Sequence, residues 1–293
     1  MRLKNIFIAF AAMIMAASVT AQPKFQKSVM WGVVGMEGSS VVEKCKAIKA
    51  AGFDGVEFNS HMNREECKAA LKASGLVASS VCNSQHWTYL MSSPDAKVRQ
   101  QGVDAMIVAM EDAKAYGTDA VLLVPGRVSE DVSYDECWNR STECIKKLVP
   151  IAEKMGVTMC IENVWNNFLL SPMEAARYVD QFKSKRVKMY FDCGNILPYG
   201  WPEQWIKILG SKVGRIHVKE YSNKIASKEG KGAGFRAPLC EGDVSWNKVI
   251  DALANAGYSP WLTIEHHGGD TAEGLKDLAT RLDCIIAKKP FIK

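Results

Sequence analysis

The sequence predicts an α/β fold, a single-domain (β/α)8 TIM barrel over residues 22–293, preceded by a signal peptide over residues 1–21. Three observations predict it. Eight short apolar runs occur, each followed by a helix-like stretch. Such alternation implies parallel strands covered by helices. The 293 residues suit one large α/β domain. No Gly-x-Gly-x-x-Gly follows the first run, which argues against a doubly wound dinucleotide-binding sheet.

In order, the strand-like runs are "VMWGVVG" from Val29, "GVEFN" from Gly55, "VASSVC" from Val77 and "AVLLVPG" from Ala120. Then come "TMCIENV" from Thr158, "VKMYFDCGN" from Val187, "VGRIHVKEY" from Val213 and "WLTIEHH" from Trp261. Helix starts are marked between them. Ser171, Pro172 and Glu174 form a capping-box pattern, Ser93 and Pro94 a similar start, and Ser245 opens another helix. Glycines in "AAGFDG", "KASGLV" and "ANAGYSP" sit where a helix ends before a strand. One long connection, Ser222 to Asp243, is rich in Lys and Gly and has the length of a lid.

The first residues read as an export signal. Arg2 and Lys4 precede an apolar run from Ile6 to Ala17, and "SVTAQ" offers a cut between Ala21 and Gln22. The run is shorter than the roughly 18 residues of a membrane span, so no stable membrane insertion is expected. Removing Arg2 and Lys4 lowers the formal charge from +5 to +3, too mild for a nucleic-acid partner. The nine cysteines lack any C-x-x-C spacing, so few or no disulfides and no zinc–thiolate site are expected.

In a barrel, chemistry sits at the C-terminal ends of the strands. Those ends carry Glu57, then His86 and Trp87, then Glu162 and Asn163, then Asp192 and Asn195, then His217, Lys219 and Glu220, and last Glu265, His266 and His267. Taken singly, each is as ordinary as a salt-bridge partner or a core histidine; Glu57 in particular is expected to pair with a nearby Lys or Arg. The combination is different. Glu162, Asp192, His217 and Glu265 come from four successive strands at one level. Three converging carboxylates repel one another without a cation. Oxygen-rich ligation with one imidazole suits a single divalent metal ion, Mn²⁺ foremost, with Mg²⁺, Co²⁺ or Zn²⁺ as alternatives.

The segments "CIENVWNNFLLSP", "YFDCGN", "RIHVKEY", "EGDVSW" and "TIEHH" resemble the sugar isomerase/epimerase family with the xylose-isomerase-like barrel, over essentially the whole mature chain. That family includes D-tagatose/D-psicose 3-epimerases, L-xylulose-5-phosphate 3-epimerases and hydroxypyruvate isomerases. The resemblance implies that Glu162, Asp192, His217 and Glu265 are the metal ligands, and that Glu162 and Glu265 are also the catalytic acid/base pair. It implies proton abstraction next to a sugar carbonyl through an enediolate. His86, Trp87, Trp165, Asn166, Asn195 and Lys219 are the expected substrate-binding residues. Two positions depart from the ketose 3-epimerases: Asn195 replaces a histidine, and Lys219-Glu220-Tyr221 replaces a segment with an arginine.

Export points to an unphosphorylated sugar, keto-sugar or glycoside as substrate. Three other readings stand beside the exported isomerase/epimerase. A 3-keto-glycoside lyase or hydratase would use the same metal and carboxylates. A non-catalytic sugar-binding protein should have lost a ligand position, and none is lost. An AP endonuclease needs a His-rich trinuclear zinc site, against five histidines in this whole chain. A homo-oligomer is left open.

Overall fold

The computed structural model describes residues 24–292; the expected signal peptide lies outside them. Eight parallel strands close into a barrel in sequence order. They are β1 (Gln26–Met30), β2 (Gly55–Asn59), β3 (Val77–Cys82), β4 (Ala120–Leu123), β5 (Thr158–Glu162), β6 (Val187–Asp192), β7 (Val213–Val218) and β8 (Trp261–Ile264). Strand β1 starts earlier than its apolar run suggests, and Trp31–Val33 is a 3₁₀ turn. Among the described residues no helix is long and apolar enough to cross a membrane.

The outer helices are α1 (Val41–Ala51), α2 (Arg64–Ser74), α3 (Ala96–Tyr116), α4 (Tyr134–Met155), α5 (Pro172–Asp180), a short α6 (Cys193–Ile196), α7 (Pro202–Leu209), α8 (Asn223–Glu229), α9 (Trp246–Asn255) and α10 (Ala272–Ile286). Ser171 caps α5, accepting from Glu174 N–H, with Pro172 in the first turn. The cap of α3 is Asp95 rather than Ser93, because the Asp95 carboxylate accepts from Lys97 N–H. Gly52 and Gly75 end α1 and α2 at φ of 100° and 72°, a left-handed backbone that L side chains resist.

One large core fills the space between barrel and helices, with Phe58, Met106, Leu148, Tyr178 and Phe191 among its buried members. A smaller cluster of Cys82, Ala120, Leu122, Val124, Cys160 and Tyr190 is separate from it. Side chains alternate along a strand, so Cys160 and Glu162 share a face, as do Tyr190 with Asp192 and His217 with Lys219. In the first two pairs a member of the smaller cluster thus lies beneath a carboxylate. All nine cysteines are free thiols, seven of them buried.

The long connection after β7 is folded. It contains α8 and a 3₁₀ turn, Lys231–Arg236. Its base is gathered on Glu220, a carboxylate with no solvent exposure. Glu220 accepts from the backbone N–H of Tyr221 (3.1 Å), Cys240 (3.0 Å) and Val244 (3.1 Å) and from Trp246 Nε1 (2.9 Å). Burial raises its pKa despite these four donors. Glu220→Gln turns an amide N–H₂ toward backbone donors. A loss of about 2–3 kcal/mol is expected, read as a lower denaturation midpoint at unchanged m-value. An unchanged midpoint would show that Glu220 does not hold the lid base.

Candidate metal and sugar site

Register brings the four acidic and imidazole positions together. Glu162 pairs with Tyr190 across β5–β6, and Asp192 pairs with His217 across β6–β7. Glu265 follows β8 directly, its N–H donating to Val218 C=O at 3.1 Å. One ligand atom from each of Glu162, Asp192, His217 and Glu265 lies within 4.8 Å of the others.

Local hydrogen bonds set these side chains. Asn163 Nδ2 donates to Asp192 C=O and Asn163 Oδ1 accepts from Asp192 N–H, both at 2.9 Å, so its amide prolongs the β5–β6 pairing. Asp192 Oδ1 caps α6 through Asn195 N–H at 2.7 Å. Its other oxygen, Oδ2, is buried without a hydrogen-bond partner, its nearest cation being the Lys219 ammonium at 3.3 Å. His217 Nδ1 lies 2.8 Å from Glu162 Oε1 and 2.9 Å from Glu265 Oε2. Its Nε2 lies 3.0 Å from Glu57 Oε1.

Electrostatics separate the carboxyls. Burial, then the Glu265 charge, push Glu162 up to about 7 against the pull of His217. Asp192 is raised to about 6, by burial first, with Lys219 opposing. Burial also opposes ionisation of Glu265, but Lys219 and His217 override it and hold that carboxyl well below the usual range. For His217 burial disfavours the charge, yet Glu265 and Glu57 push its pKa well above normal. Three hard oxygen donors, one nitrogen, and a buried carboxylate oxygen without a hydrogen-bond partner fit a divalent cation.

A cavity of about 440 Å³ opens over this cluster. Glu162, His217, Lys219 and Glu265 lie at its polar end, with His86, Trp87, Trp165, Asn195 and Phe235 around the walls. His86 is buried, its Nδ1 lacks a partner, and burial lowers its pKa to about 4, so its imidazole is neutral. Trp165 donates from Nε1 to Asn195 C=O at 2.9 Å. Asn195 Nδ2 donates to Asn163 C=O at 3.0 Å.

Two residues sit differently from expectation. Asn166 is not among the lining residues of the cavity. Its amide donates to Gly126 C=O at 2.7 Å and accepts from Phe168 N–H at 3.3 Å, tying two loops together. Among the described residues Glu57 is paired with no Lys or Arg: it accepts from the Ser80 and Tyr190 hydroxyls and faces His217. The Tyr190 ring also packs on the imidazole, centroids 4.2 Å apart. Glu57, expected at the end of its strand, is the middle residue of β2, and its partner His217 is 160 residues away.

Lys219 was expected to face substrate. Its Nζ lies 2.9 Å from Glu265 Oε2 and 3.3 Å from Asp192 Oδ2, so it touches the ligand cluster while lining the cavity. Gly194 makes room for it: a Cβ there would meet Lys219 C=O at 2.7 Å. His266 Nε2 donates to Ala237 C=O at 2.8 Å, joining the end of β8 to the return leg of the lid.

The sequence profile of the xylose isomerase-like TIM barrel matches residues 45–285. L-ribulose-5-phosphate 3-epimerase of Escherichia coli K12 is 25% identical over 267 residues, covering 86% of this chain and 90% of its own. Two solved structures share the fold. The 3-keto-D-glucoside 4-epimerase of E. coli superposes with a TM-score of 0.75 at 18% identity, covering 89% of this chain and all of its own. D-psicose 3-epimerase of Clostridium cellulolyticum H10 gives 0.72 at 18% identity, covering 88% and 97%. With the profile spanning most of the barrel, the chain belongs to the xylose isomerase-like TIM barrel family.

Proposed function

We propose that the protein is a metal-dependent sugar isomerase or epimerase acting by proton transfer at a carbon next to a carbonyl. The carrying observation is that Glu162 and Glu265 line one cavity while sharing a cluster with Asp192 and His217. The three relatives named above differ in substrate and share epimerisation, which supports the same class of reaction here.

A divalent ion held by Glu162, Asp192, His217 and Glu265 supplies positive charge where the sugar carbonyl and neighbouring hydroxyl oxygens bind; Mn²⁺ is the proposed ion. The remaining chemistry belongs to the side chains. Glu265 is ionised and accepts the carbon-bound proton. Glu162, whose ionisation burial and the Glu265 charge oppose, returns a proton from the other side of the sugar. In the reverse direction the two exchange roles. Neutral His86 offers its unpartnered Nδ1 to a sugar hydroxyl. Asn195 and Trp165 brace each other along the wall, and Lys219 keeps Glu265 charged. The export signal read from residues 1–21 supports an unphosphorylated carbonyl sugar as the substrate, met outside the cytoplasm.

The test is product mass spectrometry in D₂O, with Mn²⁺-loaded protein and a panel of free ketoses and a 3-keto-glucoside. Deuterium at a sugar carbon together with a new isomer supports the proposal. Release of the aglycone with no new isomer would instead make the protein a lyase. Full activity after chelation would remove the metal.

Metal binding should be steeply pH-dependent. The ion must displace protons from Glu162, raised to about 7, from Asp192, raised to about 6, and from His217, whose pKa is also raised. Affinity therefore rises with pH. Below pH 6 it should fall more than about tenfold per unit, since more than one proton is displaced. Calorimetric titration with Mn²⁺ between pH 5 and pH 8 checks this; a flat profile contradicts it.

A further inference from the structure

Large aromatic side chains are rarely left in water without a reason. Among the described residues, the exposed ones are Trp87 (43%), Trp165 (36%), Tyr199 (58%) and Trp201 (59%). All four follow the C-terminal ends of strands: Trp87 after β3, Trp165 after β5, Tyr199 and Trp201 after β6. Of the exposed non-aromatic apolar side chains, Leu170 and Met173 also follow β5, while Val77, Ile208 and Ile292 lie elsewhere. The aromatics are thus concentrated on the face that carries the cavity, and Trp87 and Trp165 form part of its wall.

Three of these four rings, Trp87, Trp165 and Tyr199, are held in place. Trp165 lies 4.8 Å from Phe235 and 6.4 Å from Tyr199, centroid to centroid. The Lys231 ammonium from the lid sits 4.7 Å from the Trp165 ring centre and 3.8 Å from that of Tyr199. Tyr221 hydroxyl donates to Lys231 C=O at 2.8 Å, fixing the same segment. On the other side, the Arg127 guanidinium lies 5.2 Å over Trp87. Cations against aromatic faces order both without removing the rings from solvent. A wall ordered in advance loses little entropy when a ligand lies on it.

The cavity itself, at about 440 Å³, falls in the range that takes ligands larger than one pyranose ring. Its polar end is complete with one reacting ring over the carboxylates. The aromatic rim has no part in that chemistry. Pyranoses present C–H faces that pack on aromatic rings while their hydroxyls remain hydrated, which matches rings that are half wet and half packed.

We propose that the rim of Trp87, Trp165, Tyr199 and Trp201 is an outer subsite for a second sugar ring, so that the substrate is a glycoside or disaccharide carrying the carbonyl on its inner ring. This rests on the epimerase reading of the inner site. The outer ring binds by apolar packing and leaves the proton transfer unchanged, so its contribution appears in KM rather than in kcat.

The test compares two probes in the D₂O exchange assay, 3-keto-D-glucose with one ring and 3-ketocellobiose with two. The Mn²⁺-loaded protein should process the two-ring probe with at least about tenfold higher kcat/KM, nearly all of it in KM. Tyr199→Ala and Trp201→Ala should each remove most of that advantage and leave the one-ring probe unaffected. If both probes react with equal kcat/KM, the outer subsite is overturned and the epimerase reading stands. If neither shows exchange, both fall. A light-scattering mass that drops from dimer to monomer in Trp201→Ala, with the probes equal, would make this face a contact between two copies of the chain and overturn the proposal.

Discussion

Glu265→Gln and Glu162→Gln should each lower sugar interconversion by about 10²–10⁴-fold, the range for removing a positioned acid or base. They should differ in what remains. With protons handled by two carboxyls, loss of Glu265 abolishes exchange of the carbon-bound hydrogen from one isomer, while the other still exchanges through Glu162. Loss of Glu162 gives the mirror result. Each glutamine also weakens a metal-ligand position, so Mn²⁺ titration must accompany the kinetics, and rates are compared at saturating metal. Before the ion binds, Lys219 Nζ and His217 Nδ1, each 2.9 Å from Glu265 Oε2, keep Glu265 ionised, whereas burial pushes Glu162 up to about 7. Normal interconversion by either variant would remove that residue from the acid/base pair.

The barrel was legible because its strands are short, apolar and regularly separated, and because helix caps such as Ser171 and helix ends such as Gly52 and Gly75 use local chemistry. The convergence of Glu162, Asp192, His217 and Glu265 was legible for a related reason: closure carries every strand end to one axis, so position along a strand predicts position in space. What stayed hidden depends on contacts that no local pattern encodes. Asn166 stands next to Trp165, which lines the cavity, yet its own amide is held by Gly126 and Phe168. Lys219 shares a face with His217, but its partnership with Asp192 and Glu265 needs β6, β7 and β8 in register and a glycine at 194. Asp95 displaced Ser93 as the cap of α3 because both residues can accept from a helix N-terminus, and only the backbone path decides between them. Glu220 looked like one more charge at a strand end; its four N–H donors come from residues 221 to 246, beyond the strand itself.

Glu57→Gln should reduce Mn²⁺ affinity by about 10–100-fold, the effect of removing an outer partner of a ligating histidine, while costing less folding stability than loss of the whole polar group. The loss is limited because the two neighbours of Glu57 Oε2 are hydroxyls, Ser80 and Tyr190. A hydroxyl can rotate and accept from the new amide N–H₂, so the buried network stays satisfied. His217 cannot adapt in the same way. Its Nε2 donates to Glu57 Oε1, which leaves Nδ1 turned to Glu162 and Glu265 and fixes the tautomer that can ligate. Replacing the carboxylate by a neutral carbonyl keeps the orientation and removes the negative charge that makes the imidazole a stronger donor. Glu57→Leu removes orientation as well. It leaves the Ser80 and Tyr190 hydroxyls and His217 Nε2 without their buried acceptor, so a stability loss of about 3–5 kcal/mol is expected along with lost metal affinity. Thermal unfolding with and without Mn²⁺ separates the two variants: after chelation Glu57→Gln should melt between the wild type and Glu57→Leu, because His217 loses a buried counter-charge but keeps its acceptor, and it should gain less than the wild type from the ion. A Glu57→Gln protein with wild-type Mn²⁺ affinity would reduce Glu57 to a structural acceptor. The metal site would then be complete in its four ligands, with His217 held instead by Tyr190, whose ring lies 4.2 Å from the imidazole.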